Sequence, residues 1–373
     1  MTRTVIDIHI IQTLPPSNVN RDDTGSPKSA VYGGVRRARV SSQAWKRATR
    51  TAFKGLLDKS ELGLRTKRVV EVVAEEIIHQ DSALANQAND LAKQVIEAAG
   101  IKLKPPRKAT AEAEESGYLI FLSTRQIEAL AGLGVEAAHR GEKVEKSAAR
   151  AHFSNENSID VALFGRMVAD VSDLGVDAAA QVAHAISTHA VSNEFDYFTA
   201  VDDRKSERAD EDAGAGMIGT VEFNSSTLYR YASVDLEGLQ RNLGNVEATA
   251  RAAAAFVEAF VTSMPTGKQN TFANNTLPDA VLVTVREDRA VSLVGAFEEP
   301  VVAESGGNVR DSIARLAIHA KETADVYGTP VAALACGVGE RITPLEVFAR
   351  ATPLTGLIEQ VGQLVRTRVA AEN

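Results

Sequence analysis

Between Val31 and Arg50 the chain reads VYGGVRRARVSSQAWKRATR, with six Lys and Arg side chains, no carboxylate, two serines and one tryptophan. Cations at this density, interleaved with hydroxyl and amide donors, suit a polyanion better than a single charge. The window from Asn20 to Arg68 carries a local balance of +9 inside a chain of net charge −8, which leaves −17 for the remainder. Ser41-Ser42 is an N-cap signal, and it predicts a helix running to about Leu57. At 100° per residue, Trp45, Ala48, Ala52 and Leu56 share its apolar face. Gln43, Lys46, Arg47, Arg50 and Lys54 then form a basic stripe beside that face. The unsatisfied N–H groups at the helix start add positive potential to the same path, so the arrangement fits a phosphate backbone. A solvated helix face is the plainer alternative.

Other chemistry-bearing groups carry less. EFDYFTAVDD, from Glu194, and MIGTVEFNSS read as two strands of a long hairpin with a charged, Gly-rich tip. Gly214, Gly216 and Gly219 match GxGxxG in letters, but a strand follows them where a dinucleotide site needs a helix. Asp202 and Asp203 are neighbours on a strand and point to opposite faces, so they do not share a metal ion. VDAAAQVAHAISTHAV reads as an Ala-rich helix; on it, His184 and His189 would lie roughly 140° apart, unlike a metal-sharing pair. His9 and His189 are the general-base candidates if the chain is an RNA endonuclease, although no acid or nucleophile accompanies either. The single cysteine, Cys336, excludes an intrachain disulfide and a multi-cysteine zinc site, and reads as a small buried residue.

The elements that must position these groups are partly legible. TVIDIHIIQT predicts a half-buried first strand with Ile6, Ile8 and Ile10 on one face, followed by a long polar loop, PPSNVNRDDTGSPKSA. RRARV is a short strand. From about Leu62 to Arg150 three helical segments are expected, KRVVEVVAEEIIHQ, SALANQANDLAKQVIEAAG and VEAAHRGEKVEKSAARAHF, the last with a second basic face at Arg140, Lys143, Lys146 and Arg150. SIDVALFGRM reads as a strand or loop ending at Met167. Further on, TLYRYASVDL, AVLVTVRED and AVSLVGAFEEP read as strands, EATARAAAAFVEAFVTSM as a buried helix and GKQNTFANNT as a polar loop holding Lys268. The order predicts an α+β sheet domain interrupted by insertions. No run approaches the length of a membrane span, and MTRTVIDIHIIQT lacks a small-residue cleavage site, so a cytoplasmic protein without membrane contact is expected.

NRDDTGSPKSAVYGGVRRARVSSQAWKRATR, SIDVALFGRM, AHAISTHAV, FDYFTAVDD, GTVEFNSSTLYRYASVDL and GKQNTFA, in that order, resemble the CasC family. That family supplies the backbone subunit of the type I-E CRISPR Cascade complex, within the RAMP group of RNA-binding proteins. The resemblance implies a modified RRM-like (ferredoxin-like) palm at 1–60, 182–193 and 224–373, a helical finger domain at 61–181 and a β-hairpin thumb at 194–223. It implies a non-catalytic subunit that stacks head to tail with further copies of itself along crRNA, beside other Cascade subunits. The guide then pairs with target DNA. No cofactor or metal is implied, and a RAMP-type endonuclease that processes CRISPR transcripts is the alternative. By the same resemblance, Arg21, Lys28, Ser41, Gln43, Lys46, Arg50 and Lys268 would grip RNA phosphates. Tyr197, Phe198, Thr199 and Val201 would begin the thumb, and Met167 would bracket a displaced base. Tyr197 stands where some relatives have Trp, Val35 where some have a basic residue and Asn270 where some have Arg. A non-nucleic-acid scaffold, with the basic stripe docking an acidic protein, is a third reading.

Overall fold

The computed structural model describes residues 3–106, 113–200, 217–303 and 307–371. In chain order the strands and helices are β1 (Val5–Ser17), β2 (Ser29–Tyr32), β3 (Val35–Val40), α1 (Ser42–Leu56), β4 (Gly63–Thr66), α2 (Val69–Gln80), α3 (Ala88–Ala99), β5 (Leu103–Lys104), β6 (Glu115–Ser116) and β7 (Ile120–Ser123). They continue with α4 (Thr124–Arg140), α5 (Lys146–Ser154), α6 (Ile159–Phe164), β8 (Ala180–Val182), β9 (Ala185–Ser187), β10 (Glu194–Ala200), β11 (Met217–Asp235), α7 (Leu236–Leu243) and α8 (Val246–Thr262). The last are α9 (Gln269–Phe272), β12 (Ala280–Arg286), α10 (Asn308–Tyr327), β13 (Ala332–Gly337), α11 (Thr343–Glu346), β14 (Arg350–Ala351) and α12 (Leu354–Ala371).

The fold is α+β, built on one sheet ordered β14-β13-β12-β1-β11-β9-β3-β2, with β8 and β10 also paired to β11. Every pairing in it is antiparallel except β13 with β14. Alternation in β1 sends Ile6, Ile8 and Ile10 into one hydrophobic cluster with α1, α8 and α12, as expected. The strand is not half-buried, however. Ile11 enters a second cluster on the other face with Leu282, Phe297 and Leu316; Asp7 and His9 are buried on that face, and Gln12 is buried on the face of Ile10, where Arg230 donates to it. Partners on both edges and layers on both faces explain why its polar residues are interior.

A third cluster runs from Val69 to Leu174 and joins α2, α3, α4 and α5. The segment expected as one long helix ending at Phe153 is two, α4 and α5, because Gly141 adopts a left-handed φ of 67° and stops α4. Its basic face is interrupted, since Arg140 pairs with Glu136 at 3.2 Å.

Four further expectations are corrected. The Ala-rich segment after Val176 is not a helix: Ala180–Val182 and Ala185–Ser187 are short strands against β11. Small side chains there let the sheet pack closely, and pairing overrides helix propensity. SIDVALF, expected as a strand or loop, holds the short helix α6, and AVSLVGAFEEP holds only a 3-10 turn at Val294–Phe297. On α1 the buried side is Trp45, Thr49 and Phe53, while Leu56 is 39% exposed. Phe53 packs on Phe164 with ring centroids 6.2 Å apart, and Thr49 satisfies its hydroxyl on the Trp45 carbonyl, so both can be interior.

Candidate nucleic-acid interface

Ser41 caps α1 as its sequence predicts, accepting from the Ala44 N–H at 3.3 Å. Its own N–H donates to the Asn20 side-chain oxygen at 2.8 Å, which fastens the long polar loop to the helix start. The Ser42 N–H donates to His184 Nδ1 at 3.2 Å. Burial and the neighbouring Arg39 and Lys28 hold the His184 imidazole below its usual pKa, consistent with an accepting nitrogen. Sequence reasoning placed His184 on a helix; the break between β8 and β9 brings it to the cap instead. Serine, asparagine and histidine therefore surround the N-terminus, and Ser41 is 6% exposed, with its oxygen turned to the helix.

Along α1, Gln43 and Arg47 are exposed and Lys46 is half-buried. Arg50 departs from the stripe. Its guanidinium lies 4.4 Å from the Phe121 ring centroid and 3.5 Å from Asp160, whose carboxylate also accepts from Ser158 and the Gly63 N–H. Burial lowers the Arg50 pKa and raises that of Asp160, and their mutual attraction only partly offsets this. Arg50 thus tacks α1 to the helical region. Arg37 is also lost to the surface: it is fully buried and donates to the carbonyls of Tyr32, Ser187, Phe297 and Glu298. Of the six cations in the opening stretch, two serve the interior.

The loop between β1 and β2 has its own order. Asp22 accepts from Thr24 and Ser26, which holds its carboxyl below the usual range, Thr24 hydroxyl first. Lys28 donates through its N–H to the Asn20 carbonyl at 2.9 Å, and Arg21 is exposed. Gly267 presses on this loop: a Cβ there would sit 2.1 Å from the Val19 carbonyl oxygen. That close approach sets Lys268 beside the loop, at the left-handed φ of 48° that starts α9. The structure therefore gathers Arg21, Lys28, Ser41, Gln43, Lys46 and Lys268. None of Arg21, Lys28, Arg36, Lys46, Arg47 and Lys268 forms an ion pair among the described residues. Arg36 and Arg39 are cations that reasoning from the sequence left out of the site. The alternation of RRARV, which sends Arg37 inward, was a signal for Arg36 alone, since Arg39 shares the face of Arg37.

β10 and β11 form the expected hairpin, paired from Glu194 with Phe223 to Ala200 with Met217. Phe195, Tyr197 and Phe198 are 69%, 61% and 42% exposed, an aromatic display with no core of its own. Thr199 pairs with Ile218 in the ladder. Val201, Asp202 and Asp203 lie outside the described residues, as do Gly214 and Gly216; Gly219 is in β11, so no helix follows the GxGxxG letters. Met167 stands apart, 79% exposed on the turn after α6. The preceding Arg166 is buried and donates to the Leu174, Phe121 and Phe153 carbonyls, which fixes that turn.

The histidines proposed as bases are occupied. His9 is 1% exposed, burial pushes its pKa down to about 3, and its Nδ1 shares a hydrogen bond with the Tyr229 hydroxyl at 2.9 Å. His189 accepts from the Thr227 N–H through Nε2 and donates to the Ala190 carbonyl through Nδ1. The thiol of Cys336 is half-buried on β13 and pushed up to about 11 by burial. A cleft of about 1100 Å³ between α8, α12 and the loop before α6 is a poorer rival site, because two of the three cations that line it are paired: Arg251 with Glu61, and Arg366 with Glu247 at 2.9 Å, leaving Arg125. No described helix is long and apolar enough to cross a membrane.

A sheet with an aromatic hairpin and a loop-wrapped cationic helix defines a class, and comparison with known proteins gives the family. Residues 6–357 match the CT1975-like protein family, and the chain belongs to it. It is similar to a chain of a "CRISPR RNA-guided surveillance complex, pre-nicking", with 34% identity and a TM-score of 0.82 over 97% of this chain and 100% of that one. It is also similar to a chain of a "CRISPR RNA-guided surveillance complex", with 29% identity and a TM-score of 0.73 over 95% and 99% respectively. No curated protein matches. These findings agree with the resemblance to the CasC backbone subunit of Cascade read from the sequence.

Proposed function

We propose that the chain is a non-catalytic backbone subunit of a type I-E Cascade complex that binds crRNA. It stacks head to tail with copies of itself, grips phosphates and displaces bases at intervals so that the guide pairs with target DNA. The observation that carries this reading is the convergence of three separate segments, the 18–28 loop, the start of α1 and the Lys268 turn, on one face rich in unpaired cations. Beside it stands a hairpin that leaves Phe195, Tyr197 and Phe198 in solvent. Cations and neutral donors hold a phosphate chain without reading sequence, and aromatic planes stack on any base, as a variable guide requires. The neighbouring Cascade subunits are the expected terminators of a head-to-tail array. The buried state of His9 and the double backbone engagement of His189 weigh against the endonuclease.

The test is binding of several unrelated single-stranded RNAs across a salt series, with a Lys28→Glu, Lys46→Glu variant alongside. Sequence-independent binding, a log–log salt slope of roughly −3 to −4 per protomer and loss in the variant are expected. An acidic protein captured by wild type but not by the variant, with no RNA bound at low salt, would favour the scaffold.

A further inference from the structure

Glu222 is a carboxylate beside the loop that carries Arg21 and Lys28, next to a second carboxylate, Asp22. Placed there without partners it would repel phosphate, yet both of its oxygens are in use. Oε1 accepts from the Ser26 hydroxyl at 2.8 Å and Oε2 from the Asn193 amide at 2.9 Å. Its backbone carbonyl accepts from the Asn18 amide at 2.8 Å, and that same amide also donates to the Gly25 carbonyl. Asn193 is oriented in turn by Asn224, at 3.2 Å. In the hairpin ladder Glu222 is opposite Phe195. A cavity of about 550 Å³ opens beside it, lined in part by Asp22, Ser26, Arg36 and Phe195. The 18–28 loop is thus tied at one end to α1, through Asn20 and Ser41, and at the other to the base of the hairpin, through Glu222.

Resting on the reading above, we propose that Glu222 is a positioning residue: it latches the 18–28 loop to the aromatic hairpin, so that the phosphate grip and the base-displacing face keep one fixed spacing. The latch is a matter of geometry rather than charge. A glutamine can accept from Asn193 through its oxygen and donate to the Ser26 hydroxyl, which accepts as readily as it donates. An alanine can do neither. The proposal therefore separates Glu222→Gln from Glu222→Ala, which a charge effect on RNA would not do in the same sense, since both substitutions remove the same negative charge.

Two measurements on the full chain test it. In RNA-free protein, hydrogen exchange at the Lys28 and Ser41 amides, both bonded to Asn20, should quicken about tenfold in Glu222→Ala and return to the wild-type rate in Glu222→Gln, with mid-helix α1 amides unchanged. In the complex, single-stranded RNA carrying 2-aminopurine should brighten on binding wild type and Glu222→Gln, as bases unstack. It should stay dim with Glu222→Ala while affinity falls less than about fivefold. Unchanged exchange in Glu222→Ala, or unchanged brightening in spite of a loosened loop, overturns the latch. Stronger RNA binding by both variants, without altered exchange, would make Glu222 a simple repulsive charge. Failure of wild type to bind RNA would instead overturn the RNA reading, and with it the role given to the latch.

Discussion

The Arg230 guanidinium lies 3.7 Å from the Trp45 ring centroid and 4.6 Å from that of Phe260. It is fully buried, its pKa is pushed down to about 9 by burial, and it donates to Gln12 and the Phe260 carbonyl. A sheet cation, an α1 indole and an α8 ring are thereby one packed unit. Trp45→Ala should cost about 3–5 kcal/mol and Trp45→Phe distinctly less, measured by denaturant unfolding. Because α1 carries the cationic stripe, the alanine variant should also lose RNA affinity in proportion to its loosened helix.

Lys46 and Arg50 are one turn apart on α1, but their surroundings differ. Lys46→Ala should reduce the salt slope of RNA binding by about 0.7, the contribution of one phosphate on a single strand, and leave the melting temperature nearly unchanged. Arg50→Ala should leave the slope unchanged and destabilise the fold by about 1–3 kcal/mol, since it strips Asp160 of a charged partner. A slope change with Arg50→Ala would place that side chain on RNA after all.

His9 sets a pH dependence. Its folded pKa of about 3 lies below the unfolded value of 6.5, so the folded state binds fewer protons between them. Its contribution to stability is then complete above pH 6.5 and is lost as pH falls toward 3, at about 1.4 kcal/mol per pH unit. His9→Gln should flatten the fall in melting temperature below pH 6.5. Asp7 acts in the opposite sense. Burial raises it to about 6 in spite of hydrogen bonds from Tyr231 and Val291, so its ionisation withdraws stability as pH rises from about 4 to 6. Difference curves between wild type and each single variant separate the two.

Tyr197 offers the most exposed aromatic ring that matches the expected hairpin face. Tyr197→Ala should weaken RNA binding by about 1–3 kcal/mol per stacked base, and Tyr197→Phe by little, because the plane rather than the hydroxyl does the stacking. Fluorescence titration with short RNAs checks both.

How far the sequence led can be judged residue by residue. The N-cap at Ser41, the strand β1, the helix α8 and the hairpin at Glu194 were legible because each rests on a local signal: a capping side chain, a two-residue period, a long apolar helical run, two β-rich segments flanking a polar tip. What local reasoning missed depends on distant partners. Ala180–Ser187 looks helical until β11 is there to pair with it, and Arg50 looks like stripe until Asp160 and Phe121 arrive from residues far along the chain. Glu222 gives no signal at all in sequence, since its value lies in three donors separated from it by 29 to 204 residues.

The topology of β1 also has a meaning in time. Its thirteen residues leave the ribosome ahead of their ladder partners, residues 224–235 and 280–286. At typical synthesis rates the second partner follows roughly a quarter of a minute to a minute later. Until residues 224–235 are made a strongly apolar strand has no native edge to join, so nascent chains stalled before residue 224 should be the species that aggregates.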